Sequence, residues 1–528
     1  MTHSAVTSGG ALATPLATRS PRDSFLAMLG VTLVYMLTAL NGSAVSTALP
    51  KMAAELNGFG LYSWPATAYL LTSIVVIPIV GRLGDLHGRK RILLWAVATF
   101  ATTTAACAAA RTMEQLVIAR ALQGVGGGMI GGVLSACIAD LFPEPVDRMR
   151  WQLMHSVGFA VAQGIGPWLG GWLTEHASWR WVFMATVPVA ALAWCATRRF
   201  FPTVVHHDGA ERRVDLLSVG LLAVSLTGLV LWSGVIDGAG LTSATALTCL
   251  GAVVAAAVLF ARRQRRCDTP IVPSEVMSSR GTLQLLVLGT LAGLVLNVLV
   301  FTTPLLLQAG RQLSADDAGG VMTPLLLCIT FASIANARVA MRMDRAEGLM
   351  VGGHLLLAVG CWLLAIGTEQ STAYIALSLG ICGAAFGFLL PNFTQHILVL
   401  TSRTNGGLAS ALGQASRLLG GLLGAALGWA LVACLFRDSM ADALAASSMG
   451  RGELADVLRS PQVLVQPAEL MKLKQVAMQS GADPEGLVVL LKTAVTDAIR
   501  VSYAVCAGLA VASAAISARL PPFYVSRG

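Results

Sequence analysis

The chain has 528 residues, 55% of them hydrophobic and only 12% charged. Soluble globular domains carry about 25% charged residues, so a water-facing surface over this length is excluded and lipid must replace water around most of the fold. The formal charge of +9 does not point to a nucleic-acid partner, because its arginines fall in the loops where the positive-inside rule expects them. The ten cysteines show no CxxC or Cys/His spacing, so neither a metal site nor a disulfide framework is expected.

Residues 1–24 are small and polar and lack the basic start, apolar stretch and cleavage site of a signal peptide. They read as a disordered cytoplasmic tail. A spanning helix needs about 20 mostly apolar residues. Fourteen such runs follow, at 25–49, 64–83, 92–110, 116–138, 153–173, 181–196, 216–236, 242–261, 283–305, 321–339, 349–366, 373–390, 408–436 and 498–518. With the tail inside, the cytoplasmic connections collect Arg82, Arg89, Lys90, Arg91, Arg148, Arg150, Arg198, Arg199 and the group Arg262 to Arg266. The alternate loops hold little more than Lys51, Arg111, Arg180 and Arg311, so both termini are expected in the cytoplasm. Residues 437–497 form a long extracytoplasmic loop. Within it "PAELMKLKQVAMQ" sets Leu470, Leu473, Val476 and Ala477 at helical spacing opposite Lys472 and Lys474. That is a short amphipathic helix, lying on the outer leaflet, on the protein or in solvent.

Five stretches carry polar chemistry. In the first run "LNGSAVSTALP" places an amide, Asn41, in mid-membrane. Between the second and third runs "GRLGDLHGRKR" brings Gly81, Gly84 and Gly88, which permit a tight reversal, together with Asp85, Arg89 and Lys90. Opposite charges there can pair across a gate or simply set topology. The fourth run reads "RALQGVGGG", with Arg120 and Gln123 beside glycines that admit a neighbouring helix. A cation at that depth costs about 2.5–3.5 kcal/mol unless it snorkels or finds a partner. The fifth run, "GFAVAQGIGPWLGG", holds Gly158, Gln163, Gly164, Gly166, Pro167, Gly170 and Gly171; proline favours a kink and the glycines close packing. In the thirteenth run, "ASALGQASRLLGGLLG" puts Gln414 and Arg417 about 13 Å into the bilayer at 1.5 Å per residue. Arg417 lines a cavity there or holds a carbonyl. Asn297 and the buried amides at Gln308 and Asn392 either line a pathway or tie helices together.

The Gly81–Arg91 loop resembles the G-x-L-x-D-x-x-G-[RK]-[RK] signature of the major facilitator superfamily. Its echo in the second half, "ARVAMRMDR", has Met341 at the aspartate's place and Asp344 at the second glycine's. "RALQG" resembles the family's R-x-x-Q-G pattern, whose arginine is linked to proton transfer. "AQGIGPWLGG" resembles its G-x-x-x-G-P-x-x-G-G antiporter signature, typical of exporters, with Ala162 for the first glycine. "WPATAYLLTS", "WRWVF" and "TTPLLLQ" narrow the resemblance to the fourteen-helix drug:proton antiporter branch (EmrB/QacA type). That branch usually has an acid where Asn41 stands and an asparagine where Ser46 stands.

The resemblance implies an all-α polytopic membrane protein of the major facilitator fold. Two six-helix bundles, at 25–200 and 281–528, would flank two linker helices at 201–280. Asp85, Arg89 and Lys90 would latch the cytoplasmic side, and Asn41, Arg120, Gln123, Gln163, Asn297, Gln414 and Arg417 would line the path. It implies an inner-membrane exporter of amphipathic drugs or metabolites, coupled to protons, with no cofactor. In Gram-negative members a periplasmic adaptor and an outer-membrane channel are partners. The alternatives are a dedicated metabolite exporter or facilitator with weak or no coupling, and a transporter-like sensor. An ATP-driven pump is disfavoured, since no G-x-x-x-x-G-K-[ST] loop is present.

Overall fold

Without water to satisfy peptide groups in the bilayer, each crossing must be a helix, and the computed structural model is built that way. It describes residues 21–142, 145–202, 215–239, 243–267, 279–340, 347–400, 406–446, 464, 467–479 and 483–520. The loop echo at Met341 and Asp344 lies outside them.

Among the described residues twelve helices are long and apolar enough to cross a membrane. Two more long helices, Pro145–His176 and Leu216–Ala239, bring the set to the expected fourteen. We number them α1 (Pro21–Glu55), α2 (Trp64–His87), α3 (Arg89–Ala108), α4 (Met113–Leu141), α5 (Pro145–His176), α6 (Thr186–Phe200), α7 (Leu216–Ala239) and α8 (Ala244–Gln264). The remainder are α9 (Arg280–Leu305), α10 (Ala315–Ala340), α11 (Glu347–Ile366), α12 (Thr372–Leu400), α13 (Gly406–Ala446) and α14 (Pro484–Ser517). A short helix, Arg180–Met184, leads into α6, and Leu306–Gly310 continues α9 as a π turn.

Helices α1 to α6 pack as one bundle and α9 to α14 as another, with α7 and α8 paired beside them. The bundles meet along two seams, α5 against α10 and α2 against α13. At the second seam α7 touches both halves: Ile74 of α2, Leu226 and Val230 of α7, and Leu422 of α13 form one apolar cluster. The outer surface is apolar. Trp95, Leu192, Phe331 and Leu377 are each 63–66% exposed, which costs nothing in lipid and would be unfavourable in water.

Local signals set the helix ends. Thr112, the N-cap of α4, accepts from the Gln115 amide at 3.3 Å, while the Gln115 side chain accepts from the amide of Arg111, just before the cap, at 2.9 Å. Gly88, at φ 84°, joins α2 to α3 in a conformation that L side chains rarely adopt. Asp483 caps α14 by accepting from the amides of Glu485 and Gly486. Both helices flanking the long loop therefore run into it, α13 to Ala446 and α14 from Pro484. Apolar runs mark where a helix meets lipid, whereas its hydrogen bonds continue into the polar residues beyond. Of the amphipathic helix Pro467–Gln479, Leu473 and Ala477 are fully buried against the protein, and Lys474 pairs with Glu485 at 2.6 Å.

We call the side carrying the start of α1 and the end of α14 the terminal face, and the opposite side the far face. On the far face the Trp179 indole donates to Glu55 at 2.8 Å and Arg180 pairs with the same carboxylate at 2.5 Å, closing α1 onto the α5–α6 turn.

Candidate functional site

The helical rise places Arg120 about 10 Å beyond the start of α4, where it is 3% exposed. Four neutral groups surround it. Its Nε donates to the Pro65 carbonyl at 3.1 Å, and Nη1 donates to Asn41 Oδ1 at 2.7 Å and to Gln123 Oε1 at 2.5 Å. Its guanidinium carbon lies 4.5 Å from the Tyr69 ring centroid. Gln123 in turn donates to Thr104 Oγ1 at 2.6 Å, tying α3 to α4. The partners satisfy directional demands, but none supplies a negative charge. An unbalanced buried cation costs several kcal/mol. Asn41 adds a second anomaly: its Nδ2 is enclosed and has no hydrogen-bond partner among the described residues, a loss of about 1–3 kcal/mol.

The other half contributes Arg417, on α13. Gly293 of α9 lets the two backbones meet there: a Cβ on it would lie 2.1 Å from the Arg417 carbonyl oxygen. Arg417 is half-buried and donates from Nη2 to Gln414 Oε1 at 2.9 Å. Gln414 also reaches the Tyr35 hydroxyl of α1, and Arg417 lies within electrostatic range of that tyrosine. Tyr35 stacks on Phe159 of α5, with centroids 4.2 Å apart. Tyr69 is electrostatically coupled to both Arg120 and Tyr35. Arg120, Tyr69, Tyr35 and Arg417 thus form an array that runs from one bundle into the other. Sequence reasoning named the two arginines, Asn41, Gln123 and Gln414, but missed the aromatic members. Their signal was faint: a tyrosine in a spanning helix, six residues before Asn41.

The remaining predicted lining residues stand apart. Asn297 donates to the Gly293 carbonyl of its own helix at 3.0 Å and packs on Gly421, a tie between α9 and α13. Gln163 is half-buried and makes no hydrogen bond among the described residues. Gln308 reaches across the bundles, donating to the Thr47 carbonyl of α1 at 2.8 Å. His354 contacts the Met350 carbonyl at 2.8 Å and Ser517 at 3.1 Å, a packing arrangement. Asn392 donates to Asn336 at 2.9 Å and ties α12 to α10.

The glycines of α5 divide by face. A Cβ on Gly166 would fall 1.8 Å from Ser43 Oγ, and one on Gly170 2.4 Å from the Ala44 carbonyl, so these two receive α1. A Cβ on Gly171 would fall 2.2 Å from the Ala315 carbonyl and one on Gly164 2.5 Å from Leu327, so these two receive α10 of the other bundle. The Pro167 carbonyl accepts from Thr47 Oγ1 at 3.1 Å, a further tie between α5 and α1. Gly158 sits farther toward the terminal face, against Thr32 and Met36. Tyr62 adds to the far-face closure, donating to the Phe301 carbonyl at 3.3 Å and stacking at 4.7 Å on Trp429.

At the terminal face Arg89 pairs with Asp140 at the end of α4, and Lys90 donates to the Phe201 carbonyl at 2.7 Å. Both contacts stay within the first bundle. Asp140 was not anticipated from sequence. Gly81 and Asp85 lie in the last turns of α2, and their contacts fall outside the described side chains.

The Major Facilitator Superfamily model matches residues 31–425. Multidrug transporter protein MdtP of Bacillus subtilis is 27% identical over 76% of this chain and 73% of its own length. Multidrug resistance protein 3 of the same organism is 27% identical over 83% of this chain and 86% of its own. The putative multidrug resistance protein MdtD of Escherichia coli is 33% identical over 56% and 62% respectively. Among solved structures, an inward-facing, unoccupied bacterial homologue of the human lysosomal transporter Spinster superposes with a TM-score of 0.62 at 12% identity, over 97% of this chain and 100% of that one. A D-xylose–proton symporter gives 0.59 at 15% identity, over 94% and 97%; both likenesses speak to the fold. With two six-helix bundles and a helix pair beside them among the described residues, the signature loop, and the family model spanning most of its length, the chain belongs to the major facilitator superfamily.

Proposed function

We propose that this chain exports amphipathic organic compounds from the cytoplasm across a bacterial inner membrane by alternating access. The terminal face looks into the cytoplasm, and the halves defined by residues 25–200 and 281–528 rock about the cleft between them. The names of the multidrug-transporter relatives support this reading. The observation that carries it is the α5–α10 seam, where glycines bring one bundle onto the backbone of the other at the far face. Such a contact is a gate that can open only by moving whole bundles, because rigid backbone leaves no side chain to swing aside. The terminal-face loop of Asp85, Arg89 and Lys90 acts as the opposing latch.

A second reading concerns energy coupling. The branch's usual acid is Asn41 here, and an amide carries no proton at physiological pH. No carboxylate occupies the array around Arg120 and Arg417 among the described residues. Export with weak or no proton coupling fits that arrangement better than antiport. Everted vesicles test both readings. Uptake of a fluorescent amphiphile that depends on the protein supports export. Uptake that survives collapse of the pH gradient, without releasing protons, supports the uncoupled form; strict dependence on that gradient would restore antiport. A protein that binds but never moves any compound would be a sensor.

A further inference from the structure

Two buried or half-buried cations, one per bundle, lie beside two coupled tyrosines, Arg120 by Tyr69 and Arg417 by Tyr35, and among the described residues every hydrogen-bond partner they have is neutral. In a low-dielectric cleft such a pair generates a positive potential that draws anions and repels cations. An enclosed amide donor, Asn41 Nδ2, has no acceptor among the described residues beside Arg120. Had the residue at position 41 been an acid, it would have neutralised Arg120, and the array would carry one positive charge where it now carries two. The stacked rings of Tyr35 and Phe159 offer an apolar, aromatic surface next to Arg417. Among the described residues the array therefore provides cations, donors and rings, and lacks only a negative charge.

We propose that the substrate supplies that charge: it is an organic anion with an aromatic or alkyl body, its carboxylate or sulfonate paired with Arg417 in the field of Arg120. This rests on the export reading and names its substrate class. It also removes the need for a proton carrier. The membrane potential, inside negative, drives an anion outward by itself, by a factor of roughly 50 per 100 mV for one charge. Asn41 and the substrate's charge are then two sides of one arrangement.

A charge series on one body tests this. Dansylglycine is anionic, dansylglycinamide neutral and N-dansylethylenediamine cationic, with the same fluorophore. Purified protein in proteoliposomes is given each, with the potential set by potassium and valinomycin. Expected is binding of the anion at least about 10-fold tighter than of the cation, from the loss of one charge-assisted pair. Anion flux should rise with a favourable potential and be indifferent to a pH gradient. Arg417→Gln should erase the preference while leaving the protein folded, and Arg417→Lys should keep part of it. Binding or transport of the cation equal to or better than the anion overturns the substrate class and leaves the export reading standing. Absence of protein-dependent flux for all three, with dansylglycine still bound, overturns the export reading and with it this inference.

Discussion

Arg120 and Arg417, one in each half, are held in opposite ways. Arg120 is stripped of water and gripped by a carbonyl, two amides and a ring. Arg417 keeps one amide and remains partly accessible. The first half therefore fixes a charge as part of its architecture, while the second leaves one free for the proposed substrate. The difference teaches that a buried arginine is not one kind of signal: its number of internal acceptors tells how much of its hydrogen-bonding capacity is already spent.

The sharpest way to break this contrast is Arg120→Leu. It strands the acceptors of Pro65, Asn41 and Gln123, each costing about 1–3 kcal/mol when buried and unpaired. A thermal melt should drop steeply and flux should vanish; a stable, active variant would show that Arg120 is held no more tightly than Arg417. Next comes the seam. Gly171→Ala puts a methyl into the Ala315 carbonyl and should cost about 1–3 kcal/mol through overpacking. Disulfide yield between cysteines placed at Thr47 and Gln308 should fall as the far face is pried open. Arg417→Gln, by comparison, forfeits one exposed-edge hydrogen bond and should lower stability by about 1 kcal/mol or less, against a clear effect on ligand preference.

Asn41→Asp sharpens the contrast from the other side, by giving the first half a titratable partner for its arginine. Transport by the wild type should be flat between about pH 6 and 8, while the variant acquires a pH dependence, as a new acid in the path would impose. An unchanged profile would place residue 41 outside the transport path. The smallest effect belongs to the linker. Arg263 and then Ser218 hold the Asp215 carboxyl well below its ordinary range. Because that shift is downward, its stabilisation is complete above the usual carboxylate range, declines as pH falls below that range, and is gone once pH falls through the depressed value. It contributes no pH dependence near neutrality, and Asp215→Asn should cost less than about 1 kcal/mol at this partly solvated pair.

The spanning helices were legible because lipid imposes one requirement, length with apolarity, that a sequence displays openly. The signature glycines were legible too, since only glycine admits a backbone at the distances found at Gly170 and Gly171. "WRWVF" drew notice as a motif, but its role as the clasp on Glu55 needed coordinates. Tyr35, Phe159, Tyr69 and Asp140 stayed hidden for a different reason. Their significance comes from helices distant in sequence, and nothing local distinguishes a tyrosine that faces an arginine from one that faces lipid.

The apolar cluster joining Ile74, Leu226, Val230 and Leu422 has a mechanical consequence. Helix α7 grips α2 and α13, one from each rocking half, so any swing must shear its side chains past at least one of them. The linker pair is then more than a spacer inserted between two bundles. It is a strap across one flank, and on the proposed rocking motion the size of its side chains limits how far the two halves can part.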